Sequence, residues 1–198
     1  MPAFIGLTGG VAAGKSEALA AFARHGSATL STDAVVHELL EDPQVRERLV
    51  GQWGDRVVSD GRINRGRVGA IVFESSEQLR WLESMLHPLV GERVAQWRAS
   101  LPQGTEIAVV EVPLLFETGM EALFDATVCV VASDELRARR AGTRGTESLE
   151  GRSERQLSQA EKAERATHAI RNDGSLDELD DAVAKLIPVL VGIAQEAG

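Results

Sequence analysis

The sequence G-G-V-A-A-G-K-S occupies Gly9–Ser16, between the apolar run Ala3–Leu7 and a helical stretch, Glu17–Arg24. It fits the pattern G-x-x-x-x-G-K-[ST]. Small residues let successive backbone N–H groups turn inward and form an anion site at the N-terminus of the following helix, whose dipole favours negative charge. A chance glycine-rich turn would leave the order Gly-Lys-Ser unexplained, so the sequence predicts a phosphate-binding P-loop.

The end of this loop also predicts a nucleotide and a metal ion. Lys15 has the length to reach the β- and γ-phosphates of ATP, and the Ser16 hydroxyl is suited to ligate a Mg²⁺ that bridges phosphate oxygens. We therefore expect Mg²⁺ as the cofactor, with Ser16 as its protein ligand and phosphate and water as the remaining ligands.

Length and composition favour one compact α/β domain. The chain has 198 residues, of which 43% are hydrophobic, enough for one substantial core. Its single cysteine, Cys129, excludes an internal disulfide and lies in an apolar run, which indicates a small buried side chain rather than a reactive thiol.

Charge and hydropathy limit the partners. No apolar stretch approaches the roughly 20 residues that span a bilayer, and no charged segment precedes an apolar core near the N-terminus. These features predict a soluble cytoplasmic protein without a membrane partner. The net charge of −9 argues against broad nucleic-acid binding.

The remaining strands predict a parallel sheet flanked by helices. Short apolar runs indicate four further strands, at Ser27–Ser31, Glu106–Val112, Thr127–Ala132 and His168–Ile170. Asp33 follows the first of these, at the side of a parallel sheet where ligands bind. It is a candidate for chemistry, or the N-cap of a helix over Ala34–Glu41, and the two roles are compatible.

The region from Asp42 to Pro102 is mostly helical and too long for one crossover between parallel strands, so it predicts a helical insertion with a second binding surface. The expected helices are Arg65–Phe73, Glu77–Leu86 and Leu89–Ser100. Arg62, Arg65 and Arg67 are either a solvated face or part of that surface. His87-Pro88 is expected to join two helices, with His87 a cap, a structural histidine or a catalytic group.

Two further groups are candidates near the phosphate site. Glu111 and Glu117 lie at or just past the third predicted strand, as ligands of a Mg²⁺-bound water or as surface carboxylates. Arginines bracket the loop-like stretch Gly142–Gly151, which is either a lid closing over triphosphate or an ordinary exposed loop. These arginines are Arg137, Arg139, Arg140, Arg144, Arg152 and Arg155.

Several motifs together resemble one family, the bacterial dephospho-coenzyme A kinases. The resemblance runs nearly end to end, and a generic P-loop kinase has no reason to carry Leu-His-Pro in an inserted region. In chain order the motifs are Gly6-Leu7-Thr8-Gly9-Gly10, Gly14-Lys15-Ser16, Thr32-Asp33-Ala34, Asp60-Gly61 with Arg65, Leu86-His87-Pro88-Leu89, Pro113-Leu114-Leu115-Phe116-Glu117 and Asn172-Asp173-Gly174.

The resemblance implies a P-loop kinase-like α/β fold, a single domain over residues 1–198. Its core would be about 1–33, 105–135 and 167–198, with a helical acceptor-binding insertion at about 34–104 and a lid at about 136–166. It also implies the last step of coenzyme A synthesis, in which ATP phosphorylates the 3′-hydroxyl of dephospho-coenzyme A.

The resemblance also implies roles for single residues. Asp33 would be the catalytic base, with Lys15 and Arg140 as the other catalytic groups. Arg65, His87 and Glu117 would join Asp33 in binding the acceptor. The ATP-binding set would be Gly9, Gly10, Ala12, Ala13, Gly14, Lys15, Ser16, Glu17, Arg140 and Arg144.

Two alternatives remain at this point. Another kinase of the nucleotide or nucleoside type would use the same loop and lid, although the inserted helical region argues against it. A nucleotide-dependent switch would bind a protein partner without small-molecule transfer. A guanine switch is expected to carry Asn-Lys-x-Asp, which does not occur in this sequence, whereas an ATP-driven regulator stays open.

Overall fold

A computed structural model describes residues 2–143 and 156–196 of the chain. Its contacts form two compact units. The first, here called the sheet unit, comprises Met1–Ser31 and Leu101–Gly198, and the second, the helical unit, comprises Thr32–Ser100. Asp33 therefore belongs to the helical unit and the P-loop to the sheet unit.

The sheet unit is built on five parallel strands. They are β1 (Ala3–Gly9), β2 (Ala28–Ser31), β5 (Ile107–Glu111), β6 (Ala126–Val131) and β7 (His168–Arg171). Their spatial order is β2-β5-β1-β6-β7. The strand that leads into the P-loop is the central one, so both of its neighbours end beside that loop. Among the described residues of this unit, the α-helices are α1 (Lys15–Arg24), α6 (Asp134–Thr143), α7 (Gln159–Arg165) and α8 (Leu176–Glu196).

Apolar sequence accounts for the centre of this sheet. Every residue of β1 and of β5 is buried, as expected of parallel strands covered on both faces. Side chains of α1 and α8, among them Phe22 and Val183, join the same core. The predicted α/β class with a parallel sheet flanked by helices is confirmed.

Two local predictions in the sheet unit are also confirmed. The sequence Ser175-Leu176-Asp177-Glu178 predicts a capping box that opens a C-terminal helix. Ser175 and Glu178 do exchange hydrogen bonds between side chain and backbone, at 2.7 and 3.2 Å, before α8. Cys129 is fully buried, and desolvation raises the pKa of its thiol to about 11. It is therefore a buried neutral side chain at physiological pH.

The helical unit contains four α-helices and a short antiparallel hairpin that was not predicted from the sequence. The helices are α2 (Thr32–Glu41), α3 (Pro43–Trp53), α4 (Arg65–Glu74) and α5 (Ser76–Ala99), and the hairpin pairs β3 (Val58–Ser59) with β4 (Arg62–Ile63). The hairpin turns at Asp60-Gly61, where both residues adopt positive φ, 51° and 76°. Strands of two residues are too short to give a period-2 pattern.

The helix break predicted at His87-Pro88 is wrong, because α5 runs through Pro88 without interruption. A proline inside a helix costs about 3 kcal/mol or more, which favours a break. Leu86, Val90 and Val94 lie at intervals of four on one buried face of α5. Their shared burial outweighs that cost and keeps the helix continuous.

The alternative that Asp33 is the N-cap of the next helix is also wrong. Strand β2 ends at Ser31 and α2 begins at Thr32, so Asp33 already lies in the first helical turn. An acidic side chain there still interacts favourably with the helix dipole. None of the helices described within residues 2–143 and 156–196 combines the length and the hydrophobicity of a membrane-spanning segment.

Candidate active site

The P-loop connects the end of β1 at Gly9 with the start of α1 at Lys15. Its backbone explains two of its glycines. A Cβ on Gly9 would overlap the Val130 carbonyl of the neighbouring strand, and Gly14, at the N-cap, has a φ of 100°. The loop therefore reaches the N-terminus of α1 in a conformation that larger residues would not adopt at these two positions.

Lys15 folds back over the loop that precedes it. Its Nζ donates to the carbonyl oxygens of Gly9, at 3.3 Å, and of Gly10, at 3.0 Å. Ser16 and Glu17 follow in the first turn of α1, and both are exposed. The ammonium group and the Ser16 hydroxyl thus lie together at the helix N-terminus, where the dipole favours an anion.

Two side chains from distant parts of the sequence contact the P-loop backbone. The Asn172 amide, on the segment after β7, donates to the Ala13 carbonyl at 2.8 Å, and Asn172 is buried. From α6, Arg137 donates through Nε to the Val11 carbonyl at 2.9 Å. From the sequence, Arg137 was grouped with the arginines of a lid or an exposed loop, and Asn172 was part of a motif without an assigned role.

Arg140 also lies beside the loop. Its Nη2 donates to the Asn172 carbonyl at 3.2 Å, while its Nη1 is buried and has no hydrogen-bond partner in the described part of the chain. A Cβ built on Gly14 would lie 3.9 Å from that Nη1. A guanidinium donor is thus directed at the P-loop. Arg144, Arg152 and Arg155, which the sequence analysis grouped with Arg140, lie outside the described residues.

Glu117 forms an ion pair inside the sheet unit. Its Oε1 lies 2.9 Å from Nζ of Lys162, which is fully buried, and also accepts from the Leu157 N–H at 2.9 Å. Lys162 donates in addition to the Pro113 carbonyl at 2.6 Å. The Oε2 atom of Glu117 is buried and has no partner among the residues described. Glu111, at the end of β5, is buried as well.

Candidate acceptor residues cluster in the helical unit. Arg65, the first residue of α4, contacts the Nδ1 atom of His37 at 2.6 Å, and His37 lies one helical turn after Asp33 on α2. Residues four apart share a helix face, so Asp33 and His37 point to the same side of α2. All three side chains are exposed, as is His87 on α5. Arg65 and Asp33 were candidates from the sequence, whereas His37 was not.

This geometry agrees with the comparisons with known proteins. A family model described as "Dephospho-CoA kinase" matches residues 3–178. The chain belongs to the dephospho-CoA kinase family. The resemblance seen in the sequence motifs is therefore confirmed, and with it the P-loop kinase fold.

Curated relatives and solved structures extend the match. The Dephospho-CoA kinase of Hahella chejuensis is 32% identical over 196 residues, which cover 96% of this chain and 93% of the relative. That of Thermobifida fusca is 38% identical over 129 residues, 64% of each chain. The crystal structure of TT1252 from Thermus thermophilus covers 96% of this chain and 98% of its own, with a TM-score of 0.83 and 32% identity.

The residues that contact one another in this part of the sheet unit differ in how far apart they lie along the chain. The P-loop is contiguous, so its pattern alone located it. Asn172 and Lys162 contact backbone groups 159 and 49 residues away along the chain, and no spacing rule links such positions. A lysine in the short, polar stretch before the last strand gives no sign that it is buried.

Proposed function

We propose that the chain transfers the γ-phosphoryl group of ATP to the 3′-hydroxyl of dephospho-coenzyme A, giving coenzyme A and ADP. In this reaction the ribose oxygen forms a bond to γ-phosphorus, the bond to the ADP oxygen breaks, and the hydroxyl proton leaves. Family membership supports the acceptor. The observation that carries the proposal is the P-loop at the head of α1, with Lys15 folded over its carbonyls.

On the nucleotide side we propose that Gly9, Gly10 and Ala12 to Glu17 bind the phosphates. The N–H groups of such a loop suit an anion, and Lys15 can exchange its two carbonyl contacts for the β- and γ-phosphates. The unpartnered Nη1 of Arg140 supports a contact with ATP. We keep Arg144 as a second ATP contact on the family resemblance alone.

Magnesium fits the chemistry of this site. Ser16 presents an exposed hydroxyl oxygen in the first turn of α1, and Mg²⁺ accepts one or two protein oxygens while phosphate and water complete its shell. We propose Ser16 as that ligand. When bound, the ion neutralises charge on the β- and γ-phosphate oxygens.

For the acceptor side we propose Asp33, Arg65, His87 and Glu117. The contact between Arg65 and His37 supports this for Arg65, because it holds the guanidinium beside the helix that carries Asp33. Glu117 already accepts from Lys162 and Leu157 through Oε1, which leaves Oε2 for an acceptor contact. His87 stands on the family resemblance and on its exposure.

The chemistry asks for positioning more than for covalent catalysis. Phosphoryl transfer needs the acceptor oxygen in line with the leaving oxygen and positive charge around the phosphoryl oxygens. We assign the charge to Lys15 and Arg140. Asp33 would orient the ribose hydroxyl and accept its proton, and its exposure to solvent is compatible with that role.

An acceptor panel tests the proposal. Purified protein is incubated with Mg-ATP and one acceptor at a time, and the mass of the acceptor is then measured by mass spectrometry. The acceptors are dephospho-coenzyme A, its 3′-deoxy analogue, a nucleoside and a nucleoside monophosphate. We expect one added phosphate on dephospho-coenzyme A and none on the 3′-deoxy analogue. The Lys15→Ala variant is the negative control. Equal turnover of a nucleoside would refute the acceptor assignment, and full activity of Lys15→Ala would refute the phosphate site.

Cytoplasmic location stays a prediction, which cell fractionation tests.

A further inference from the structure

The P-loop carbonyls are held by side chains that lie far away in the sequence. Asn172 donates from Nδ2 to the Ala13 carbonyl at 2.8 Å, and Arg137 donates from Nε to the Val11 carbonyl at 2.9 Å. Neither residue belongs to the G-x-x-x-x-G-K-[ST] pattern. We call this pair, Asn172 and Arg137, the loop brace.

Holding a carbonyl also fixes the direction of the next N–H group. In a trans peptide the C=O of one residue and the N–H of the next point in opposite directions within one plane. No cis peptide bond occurs in the described residues. The contact to Ala13 therefore sets the direction of the Gly14 N–H, and the contact to Val11 sets that of the Ala12 N–H. These two N–H groups belong to the proposed phosphate cradle.

Both brace residues pack directly onto the loop backbone. A Cβ on Gly14 would overlap the Asn172 amide nitrogen, and a Cβ on Gly10 would lie 3.2–3.3 Å from the Arg137 guanidinium. The glycines at these two positions thus permit the close approach of the brace, in addition to the φ of 100° at Gly14.

The brace residues are themselves held in place by their neighbours. The Asn172 N–H donates to the Val131 carbonyl of β6 at 2.7 Å, and its carbonyl accepts from Arg140 at 3.2 Å. Asn172 is buried, so its side-chain amide is shielded from water that would compete for the contact with the loop. Arg137 donates through Nη1 to the carboxylate of Asp134 at 2.9 Å.

We propose that Asn172 and Arg137 are positioning residues that aim the P-loop N–H groups at the nucleotide phosphates. This inference rests on the proposed function, since it takes the loop to be the ATP site. Donors that already point at the anion bind it without the free-energy cost of reorientation. Loss of either brace contact should therefore weaken ATP binding. Arg137 then acts through the loop, and not as a lid arginine that touches ATP.

Nucleotide titration calorimetry on the full-length protein tests the loop brace. The variants are Asn172→Ala, which removes the amide, and Arg137→Lys, which keeps the charge but loses the directed Nε donor. We expect ATP to bind about 10–100-fold more weakly to each, by analogy with the loss in metal affinity that follows when a hydrogen-bond partner of a metal ligand is removed. The affinity for dephospho-coenzyme A should stay within about twofold of wild type, because neither brace residue is among the proposed acceptor-binding residues.

Asn64→Ala is the matched control. Asn64 caps α4 by accepting from the Arg67 N–H at 3.0 Å, so its loss removes a helix cap within the helical unit, to which the P-loop does not belong. The control should lower the melting temperature and leave ATP affinity unchanged. An ATP affinity within about twofold of wild type in Asn172→Ala and Arg137→Lys would overturn the proposal. If Asn172→Ala fails to fold, the half-buried Arg137 still decides it.

The same titrations separate this inference from the proposed function. Wild-type protein that binds ATP but does not phosphorylate dephospho-coenzyme A contradicts the function alone, and the variant affinities still test the brace. Wild-type protein that phosphorylates dephospho-coenzyme A while both variants bind ATP normally contradicts the brace alone.

Discussion

Asp33 is the residue on which the proposed chemistry depends most. It lies in the first turn of α2 with an exposed carboxylate, one turn before His37, which Arg65 contacts. A carboxylate that orients a hydroxyl and takes its proton contributes through the transition state and not through ATP binding. Its removal should therefore appear in turnover alone.

We expect Asp33→Asn to lower kcat roughly 10²–10⁴-fold while the ATP dissociation constant stays near that of wild type. Steady-state kinetics and nucleotide titration measure the two quantities. Asp42→Asn is the matched control, because Asp42 caps α3 and asparagine caps a helix equally well. Near-native turnover of Asp33→Asn would remove Asp33 from the mechanism.

At the residue scale, the sequence predicted the residues that belong to one contiguous motif or run. Lys15 and Ser16 follow from one eight-residue pattern, and the apolar run around Cys129 indicated its burial. Arg137 was assigned to a lid because only its neighbours along the chain were known, whereas its partner Val11 lies 126 residues away. Side-chain partners across such distances depend on the folded sheet order.

Among the elements, α7 carries a fully buried charge. Lys162 on α7 is fully buried and reaches both Glu117 and the Pro113 carbonyl, on the segment after β5. A buried ammonium is tolerated only with such partners. The ion pair therefore joins α7 to the segment that follows β5.

Lys162→Met should lower the free energy of unfolding by about 3–5 kcal/mol, because Glu117 would keep its charge in a buried site without the lysine. Denaturant titration measures the loss. Adding Glu117→Gln should restore part of it, since the second charge is then removed as well. Lys185→Met, on the exposed face of α8, should change stability little. A stable Lys162→Met protein would show that the pair is not needed to hold α7.

A second contact between elements joins α1 to α8. Asp180 on α8 accepts from Arg24 at 2.6 and 2.8 Å and pairs with His25 at 2.7 Å. These hydrogen bonds, chiefly that from Arg24, lower the pKa of the Asp180 carboxyl below its usual range. The stabilisation is then present above the ordinary aspartate pKa and is lost as the pH falls through the lowered value.

Asp180→Asn should accordingly destabilise the protein at neutral pH, and the difference from wild type should shrink as the solution is acidified below about pH 4. Thermal melts over a pH series measure this. Asp181→Asn, at an exposed position next to it, serves as the control. A difference that stays constant from neutral to acidic pH would mean that the carboxylate charge is not what joins the two helices.

Element types were largely predictable, and the exceptions have physical reasons. The five parallel strands followed from apolar runs, and the α8 start from its capping box. The helix break at Pro88 was predicted wrongly. The proline is visible in the sequence, whereas the burial of Leu86, Val90 and Val94 depends on how α5 packs in the folded chain. The β3–β4 hairpin was missed because its strands have only two residues each.

For the whole molecule, the order of the motifs along the chain is itself specific, so the sequence was enough to predict the family. The family model over residues 3–178 confirmed that resemblance. The order β2-β5-β1-β6-β7 was not predictable, since strand pairing depends on contacts between segments some 100 residues apart. Dephospho-coenzyme A as the acceptor follows from family membership and stays the central proposal.

ADP release from Mg-ATP, measured with and without dephospho-coenzyme A, tests that proposal most directly. We predict that ADP appears only when the acceptor is present, one ADP for each acceptor molecule that gains a phosphate at the 3′ position. Mass spectrometry of the acceptor completes the measurement. Protein that binds ATP while dephospho-coenzyme A changes neither the rate of ADP release nor its own mass would contradict the assignment.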